Sequence, residues 1–256
     1  MTERYAVVIP AYNEVATIAD VVARALKVAS PVIVVDDGSR DGTSAALAGL
    51  PVTLLRNDAN LGKAASLWRG MQHAAALGVA GVVTLDGDGQ HAPEDIPRLL
   101  GIASQHPADI VVGARLIGRE HAPRSRRLAN RLADFSIGWA AGQPLDDSQS
   151  GFRVYPAPLL ARVQVPHGPG RGFVFESEIL IAAARLGVQI RSVPIVAVYP
   201  RGARASHFRS VLDILRISRM ILWQLVRRGM YPAGLYRSLA RRRGGVADEA
   251  NETLNA

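Results

Sequence analysis

The 256-residue chain contains no cysteine, which excludes a disulfide framework and thiolate metal sites and fits a reducing cytoplasm. Aromatic residues make up only 5% of it and no basic segment is interleaved with them, so the net charge of +8 does not read as a nucleic-acid surface. No apolar run approaches the ~20 residues a spanning helix needs. The longest candidate, Met220 to Val226, contains Gln224 and ends at Arg227 and Arg228. The opening MTERYAVVIPAYNE has neither the apolar core nor the cleavage site of a signal peptide, so a chain starting at Met1 is expected. Neither GxGxxG nor GxxxxGK(S/T) occurs, which argues against a dehydrogenase or a P-loop NTPase. No internal repeat is present. Acids are scarce in one region: from Ser206 to Arg243, nine arginines face the single Asp213. That excess calls for anionic partners, either nucleotide phosphates or acidic lipid headgroups.

What is present is an α/β pattern with 48% hydrophobic residues, enough for one large core. Over residues 1–115, β-branched runs at Tyr5–Ile9, Val32–Asp36, Val52–Leu55, Val82–Leu85 and Ile110–Val112 alternate with helix-spaced segments. Those segments are Val15–Val28, Thr43–Ala48, Ala64–Leu77 and Pro93–Ala103. The spacing predicts a mostly parallel, doubly wound sheet flanked by helices, which binds ligands at the carboxyl ends of its strands. Residues 116–205 alternate less regularly, with helices at Arg124–Ala141 and Phe175–Leu186 and strands at Phe152–Tyr155 and Ile190–Val198. Residues 206–240 form a basic helical region. Within it, Val211, Leu212, Leu215, Ser218, Ile221, Leu222 and Leu225 share one face. Residues 241–256 have no periodicity and are expected to be disordered.

The predicted strand ends are unusually polar. In VVIPAYNE, Pro10 and Asn13 shape a turn and Tyr12 can border a base, although Glu14 equally suits a helix N-terminus. VVDDGSRDGT places Asp36 and Asp37 at the second strand end, where a carboxylate can accept hydrogen bonds from a base or ribose; helix capping by Ser39 or Asp41 is the plain alternative. In Asn60-Leu61-Gly62-Lys63, backbone N–H groups and Lys63 can attract phosphate, or the lysine is simply solvated. LDGDGQHAPEDI sets Asp86 and Asp88 two residues apart, on one face if the segment is extended. Magnesium takes one or two protein carboxylates and fills its remaining sites with water and phosphate oxygens. Gly87 and Gly89 let a nucleotide approach the backbone, and Gln90 or His91 can bond the diphosphate or add a ligand. An acidic glycine-rich surface loop is the competing reading.

PAYNE, VVDDGS, NLGK and LDGDGQ occur in that order at successive elements, and with this combination the chain resembles family 2 glycosyltransferases of the GT-A fold. It is most similar to the polyprenyl-phosphate sugar synthases, over about residues 4 to 220. The resemblance implies that Pro10, Tyr12, Glu14 and Asp37 hold the nucleotide, with Lys63, Asp86 and Gly87 beside it. It also implies that Asp86, Asp88 and Gln90 hold Mg²⁺ or Mn²⁺ and the diphosphate. Gly113-Ala114-Arg115, the basic 124–130 segment, DSQSGFRVY, Phe175–Glu178 and Tyr199–Phe208 have counterparts in the lipid-phosphate branch. By that likeness Arg115, Arg126 and Asn130 grip an acceptor phosphate, while Arg201 or Arg204 closes over the site. Arginine suits that task because it presents several fixed donors to phosphate. His207 lies in the same branch segment, with a structural role equally open.

The chemistry expected is inverting transfer of a sugar from a UDP- or GDP-linked donor, the metal at Asp88 neutralising the departing diphosphate. A phosphate acceptor, with its second pKa near ~6, needs no general base. A hydroxyl acceptor needs one, and Asp147 and Glu178 are the candidates. A non-catalytic nucleotide-binding or membrane scaffold is the reading from another class. The basic amphipathic helix suits peripheral attachment to the inner face of the cytoplasmic membrane; packing on the catalytic domain or at a homodimer interface is its alternative use.

Overall fold

The structure is a computed structural model that describes residues 4–121, 124–168, 171–196 and 210–240. A seven-stranded sheet has the order β3-β2-β1-β4-β6-β5-β7. Its strands are β1 Tyr5–Ala11, β2 Val32–Asp36, β3 Thr53–Arg56, β4 Gly81–Thr84, β5 Ile110–Ile117, β6 Arg153–Pro156 and β7 Ile190–Val196. β1 to β4 pair in parallel, β6 runs antiparallel between β4 and β5, and β7 is parallel to β5. The mostly parallel α/β sheet expected from the sequence is present, and β6 stitches the two halves of the chain into it.

The helices are α1 Ile18–Leu26, α2 Lys63–Ala76, α3 Ile96–Gln105, α4 Arg124–Ala141, α5 Ala157–Arg162, α6 Gly172–Arg185, α7 Ser210–Val226 and α8 Pro232–Ala240. They cover both faces of the sheet, so its central strands are buried on both sides and read as continuous apolar runs. Ala6 and Val8 of β1 face the layer containing α2, α5, α6 and α7, whereas Val7, Ile9 and Ala11 face α1 and α3. Helix α2 lies close to the sheet at Gly70, where a Cβ would fall 2.5 Å from Val8.

Three local expectations change. The segment 43–48 forms only a 3₁₀ turn, Ala45–Leu47. Gly42 and Gly49 bracket it at φ +93° and +81°, and Asp41 and Asp36 take the Thr43 and Ser44 hydroxyls, which competes with helix propagation. Pro10 does not shape a turn; it is buried inside β1. Val7 bonds toward β2 and Val8 toward β4, so the missing N–H of Pro10 falls on the β4 side, past the last β4 partner, Thr84.

The third change concerns α7. Among its described residues Ile217, Met220, Ile221 and Leu225 are buried, packed in the core layer shared with α4 and α6. Leu215 and Leu222, expected on the same face as Ile221 and Leu225, are 60% and 56% exposed. Helix α7 therefore has two apolar faces, one docked on the domain and one formed by Leu215, Leu222, Trp223 and Val226. No helix among the described residues is long and apolar enough to cross a membrane. The tail 241–256 lies outside the described residues.

Candidate active site

The carboxyl ends of β1, β2 and β4 bring the polar motifs together. After β1, Asn13 takes φ +56°, a left-handed conformation that asparagine tolerates. Its amide N–H donates to Ser39 Oγ at 2.9 Å, and its side-chain oxygen accepts the Arg40 N–H at 2.9 Å. The Glu14 N–H donates to Thr43 Oγ1 at 2.8 Å. The first two motif loops are thus sewn to each other, with Tyr12 and Glu14 half-buried at the seam.

Asp36 and Asp37 are both buried. Asp36 accepts from the Ser39 N–H and Ser44 Oγ. Asp37 accepts from Asn57 Nδ2, the Leu61 N–H and the Gly62 N–H, each at 2.8 Å. Asp37, expected at the nucleotide, organises the loop that leads into α2. The same bonds redirect the Leu61 and Gly62 N–H groups, expected to face phosphate, onto a carboxylate.

β4 ends at Thr84 and residues 87–89 form a turn, so Asp86 and Asp88 are set by a turn rather than by an extended segment. Thr17 Oγ1 holds that turn by donating to the Gly87 carbonyl at 2.7 Å. A Cβ on Gly87 would fall 3.1 Å from Ile18 Cδ1, so this glycine permits close packing against α1. Asp88 Oδ1 accepts the Gln90 N–H at 3.0 Å. Burial, and then the charge of Asp86, push the Asp88 carboxyl above its ordinary range.

Lys63, at the start of α2, reaches Asp86 Oδ1 at 2.7 Å and Glu176 Oε2, from α6, at 3.3 Å. Burial alone would lower the lysine pKa, but the two carboxylates outweigh it and the net shift is upward. Burial likewise pushes Asp86 up, and Lys63 reverses the direction. A Cβ on Gly151 would lie 2.9 Å from both Asp86 Oδ2 and Glu176 Oε1, so the absent side chain makes room for both carboxylates. Glu176 was not singled out by sequence; its signal is an acid at the start of an apolar helix, in Phe175–Glu178. His91 is buried against Phe152, both ring nitrogens lack hydrogen-bond partners among the described residues, and burial lowers its pKa to about 4.

On the β5 side, Asp147 accepts from the Arg115 N–H at 3.0 Å, Nε at 2.7 Å and Nη2 at 2.9 Å. Burial raises the Asp147 carboxyl, but Arg115 overcomes it and the net shift is downward, the wrong direction for a general base. Glu178 is paired with Arg171 and accepts from Gln224 of α7. Both candidate bases are therefore held in ion pairs, and one edge of Arg115 is spent on Asp147. Asn130 is half-buried on α4 and position 126 lies one turn before it. Arg201, Arg204 and His207 lie outside the described residues.

Two further buried groups shape this half. Arg153 is fully buried with Nε on the Ser150 carbonyl, Nη1 on Tyr155 Oη and the Glu176 carbonyl, and Nη2 on the Ser148 carbonyl. Asp134 of α4 accepts from the Ser148 N–H and Oγ, and burial pushes its carboxyl up to about 6.

The donor set of Asp86, Asp88 and Gln90 fits a hard divalent cation, because it offers oxygen ligands and two neighbouring carboxylates that a cation relieves. Among the described residues no cluster of three or more His, Cys, Asp or Glu is arranged to hold a metal. Among the described residues the donors for an ion here are Asp86, Asp88 and Gln90, and diphosphate and water oxygens can fill further sites of a hard cation.

Residues 6–162 match the family model described as Glycosyl transferase family 2. The chain belongs to that family. An undecaprenyl-phosphate mannosyltransferase from Micrococcus luteus is 31% identical to this glycosyltransferase over 206 residues, covering 76% of the chain and 84% of that protein. A UDP-N-acetylglucosamine–dolichyl-phosphate N-acetylglucosaminyltransferase from Methanococcus voltae is 29% identical, covering 85% of the chain and 95% of that protein. Among solved structures, glucosyl-3-phosphoglycerate synthase from Mycobacterium tuberculosis in complex with Mg²⁺ and uridine diphosphate matches with a TM-score of 0.65 and 25% identity. That match covers 89% of the glycosyltransferase and 79% of the synthase.

Proposed function

We propose that this glycosyltransferase moves a sugar from a UDP- or GDP-linked donor to the phosphate of a polyprenyl phosphate, by direct displacement with inversion. The observation that carries the reading is that the two acids the sequence offered as bases for a hydroxyl are held in ion pairs, Asp147 with Arg115 and Glu178 with Arg171. A phosphate acceptor needs no such base, because its oxygens are already anionic near neutral pH. The lipid-phosphate acceptors in the names of the Micrococcus and Methanococcus relatives support the same choice.

In this reading Asp86, Asp88 and Gln90 hold Mg²⁺ or Mn²⁺, which supplies Lewis-acid neutralisation of the departing diphosphate. Lys63 keeps Asp86 ionised and, with Glu176, fixes where that carboxylate points. Tyr12 and Glu14 border the nucleotide at the seam of the first two loops, while Pro10 and Asp37 act from beneath by holding the strand and the loop before α2. Arg115, Arg126, Asn130, Arg201 and Arg204 meet the acceptor phosphate. The pairing with Asp147 fixes the plane of the Arg115 guanidinium before the acceptor arrives, which lowers the ordering cost of binding.

The outer face of α7, with exposed Leu215, Leu222 and Trp223 beside Arg227, supports peripheral attachment to a cytoplasmic membrane surface. Leu222→Ser with Trp223→Ser is expected to reduce partition onto anionic vesicles; unchanged partition, or a homodimer that buries this face, rejects the attachment. For the reaction itself, Asp88→Ala is expected to abolish Mn²⁺- or Mg²⁺-dependent transfer of labelled sugar into organic-extractable product. Undiminished transfer in that variant rejects the metal assignment.

A further inference from the structure

We infer that Asp134 is a positioning residue for the acceptor phosphate, tying helix α4 to the turn that orients Arg115. The inference rests on the phosphate-acceptor reading above. Positions 126, 130 and 134 are spaced four apart on α4, so they follow one another along a single helical face. Two of these positions are the proposed phosphate contacts, and the third is buried at 3% exposure. From there Asp134 Oδ1 accepts the Ser148 N–H at 2.8 Å and Ser148 Oγ at 2.7 Å. The neighbour of Ser148 is Asp147, which grips Arg115 through three hydrogen bonds. Arg153 holds the same turn from the core side through the Ser148 carbonyl, at 2.9 Å. An unbroken series of short contacts therefore links the α4 stripe to Arg115 at the end of β5.

Stability alone gives no reason for an acid at this position. Among the described residues the cation beside it is Arg119, whose Nη2 lies 3.5 Å from Asp134 Oδ2, and Asp147 adds a like charge, so burial prevails and the carboxyl is pushed up. What the carboxylate supplies is two hydrogen-bond acceptor directions converging on one residue, which fixes the separation and register of α4 and the 147–148 turn. A phosphate held jointly by the helix and by Arg115 depends on that separation at the scale of a hydrogen bond.

The test is steady-state kinetics on the full chain, with polyprenyl phosphate and donor varied separately. Asp134→Ala is expected to raise the acceptor KM about tenfold with the donor KM within about twofold, as for a lost pair of buried hydrogen bonds. Asp134→Asn keeps the acceptor oxygen and is expected to restore the acceptor KM to within about threefold of wild type. Ser148→Ala removes the hydroxyl that donates to Asp134, keeps the backbone N–H bond, and is expected to raise the acceptor KM by a few-fold, which serves as the test if Asp134→Ala does not fold. An unchanged acceptor KM in Asp134→Ala, or in Ser148→Ala where the first variant is unfolded, overturns the inference. So does a parallel change in both KM values. Wild-type protein that turns over no polyprenyl phosphate removes the acceptor reading, and this inference with it.

Discussion

The part of the sheet around β1, β2 and β4 and the part around β5 and β6 make polar sites in different ways. Around β1, β2 and β4, side chains mostly satisfy backbone groups of neighbouring loops: Ser39 and Thr43 meet the 13–14 turn, Asp37 meets residues 57–62, and Thr17 meets Gly87. Around β5 and β6, charges are buried and paired across the fold, as in Arg115–Asp147, Asp134–Ser148 and Arg153 with the carbonyls of Ser148 and Glu176. The first arrangement builds a shaped cradle from turns. The second stores fixed charge at defined positions, where removing one partner strands the other. The Lys63–Asp86–Glu176 group joins the two.

That joint should be the most sensitive point. Lys63→Met leaves the half-buried Asp86 and the buried Glu176 without the cation that bridges them and should cost roughly 2 to 4 kcal/mol in urea unfolding. This is the lower part of the range for breaking a buried pair, because Lys63 and Asp86 keep 26% and 24% of their side chains exposed. A loss below about 1 kcal/mol, typical of exposed pairs, would place the group with surface ion pairs.

The halves should also differ in pH response. The Asp134 carboxyl titrates near 6 in the folded chain, above its ordinary value. Between about pH 4 and 6 the folded state therefore keeps a proton that the unfolded state releases, and stability falls as pH rises through that window. Asp134→Asn should be more stable than wild type at pH 8 by about 2 kcal/mol and no more stable at pH 4. His91 acts with the opposite sign, since its pKa is lowered to about 4. Its contribution is complete above the unfolded value near ~6.5 and is lost as pH falls toward 4. His91→Met should remove that acid-side loss, and an unaltered acid limb would contradict the assignment. At the small end, Glu94→Gln breaks an exposed pair with Arg24 at 2.6 Å and should change stability by less than about 0.5 kcal/mol.

The same contrast decides what was legible in the sequence. Strand β2 and helix α4 have the boundaries that spacing predicts, Val32–Asp36 and Arg124–Ala141. Asp86 and Asp88 could be proposed from the sequence because the residues proposed for the metal fall in one short segment. The bonds of Asp37 to the 61–62 amides were not legible, since a strand-end acid looks the same in the sequence with or without them until those amides are placed. Asp134 and Glu176 were not legible because their partners lie 14 and 113 residues away, and nothing in the local pattern of a helix encodes such a pairing. The two-faced character of α7 was hidden for a related reason. Apolar spacing identifies a face, and tertiary packing decides which face is covered.

The central claim is that an anionic acceptor substitutes for a general base. It is tested most directly by offering one labelled donor, with Mn²⁺ or Mg²⁺, to a polyprenyl phosphate and to the polyprenol of the same chain length. Labelled lipid is expected from the phosphate alone. Labelled polyprenol, lost on Asp147→Asn or Glu178→Gln, would contradict it and assign one of those paired acids to proton removal.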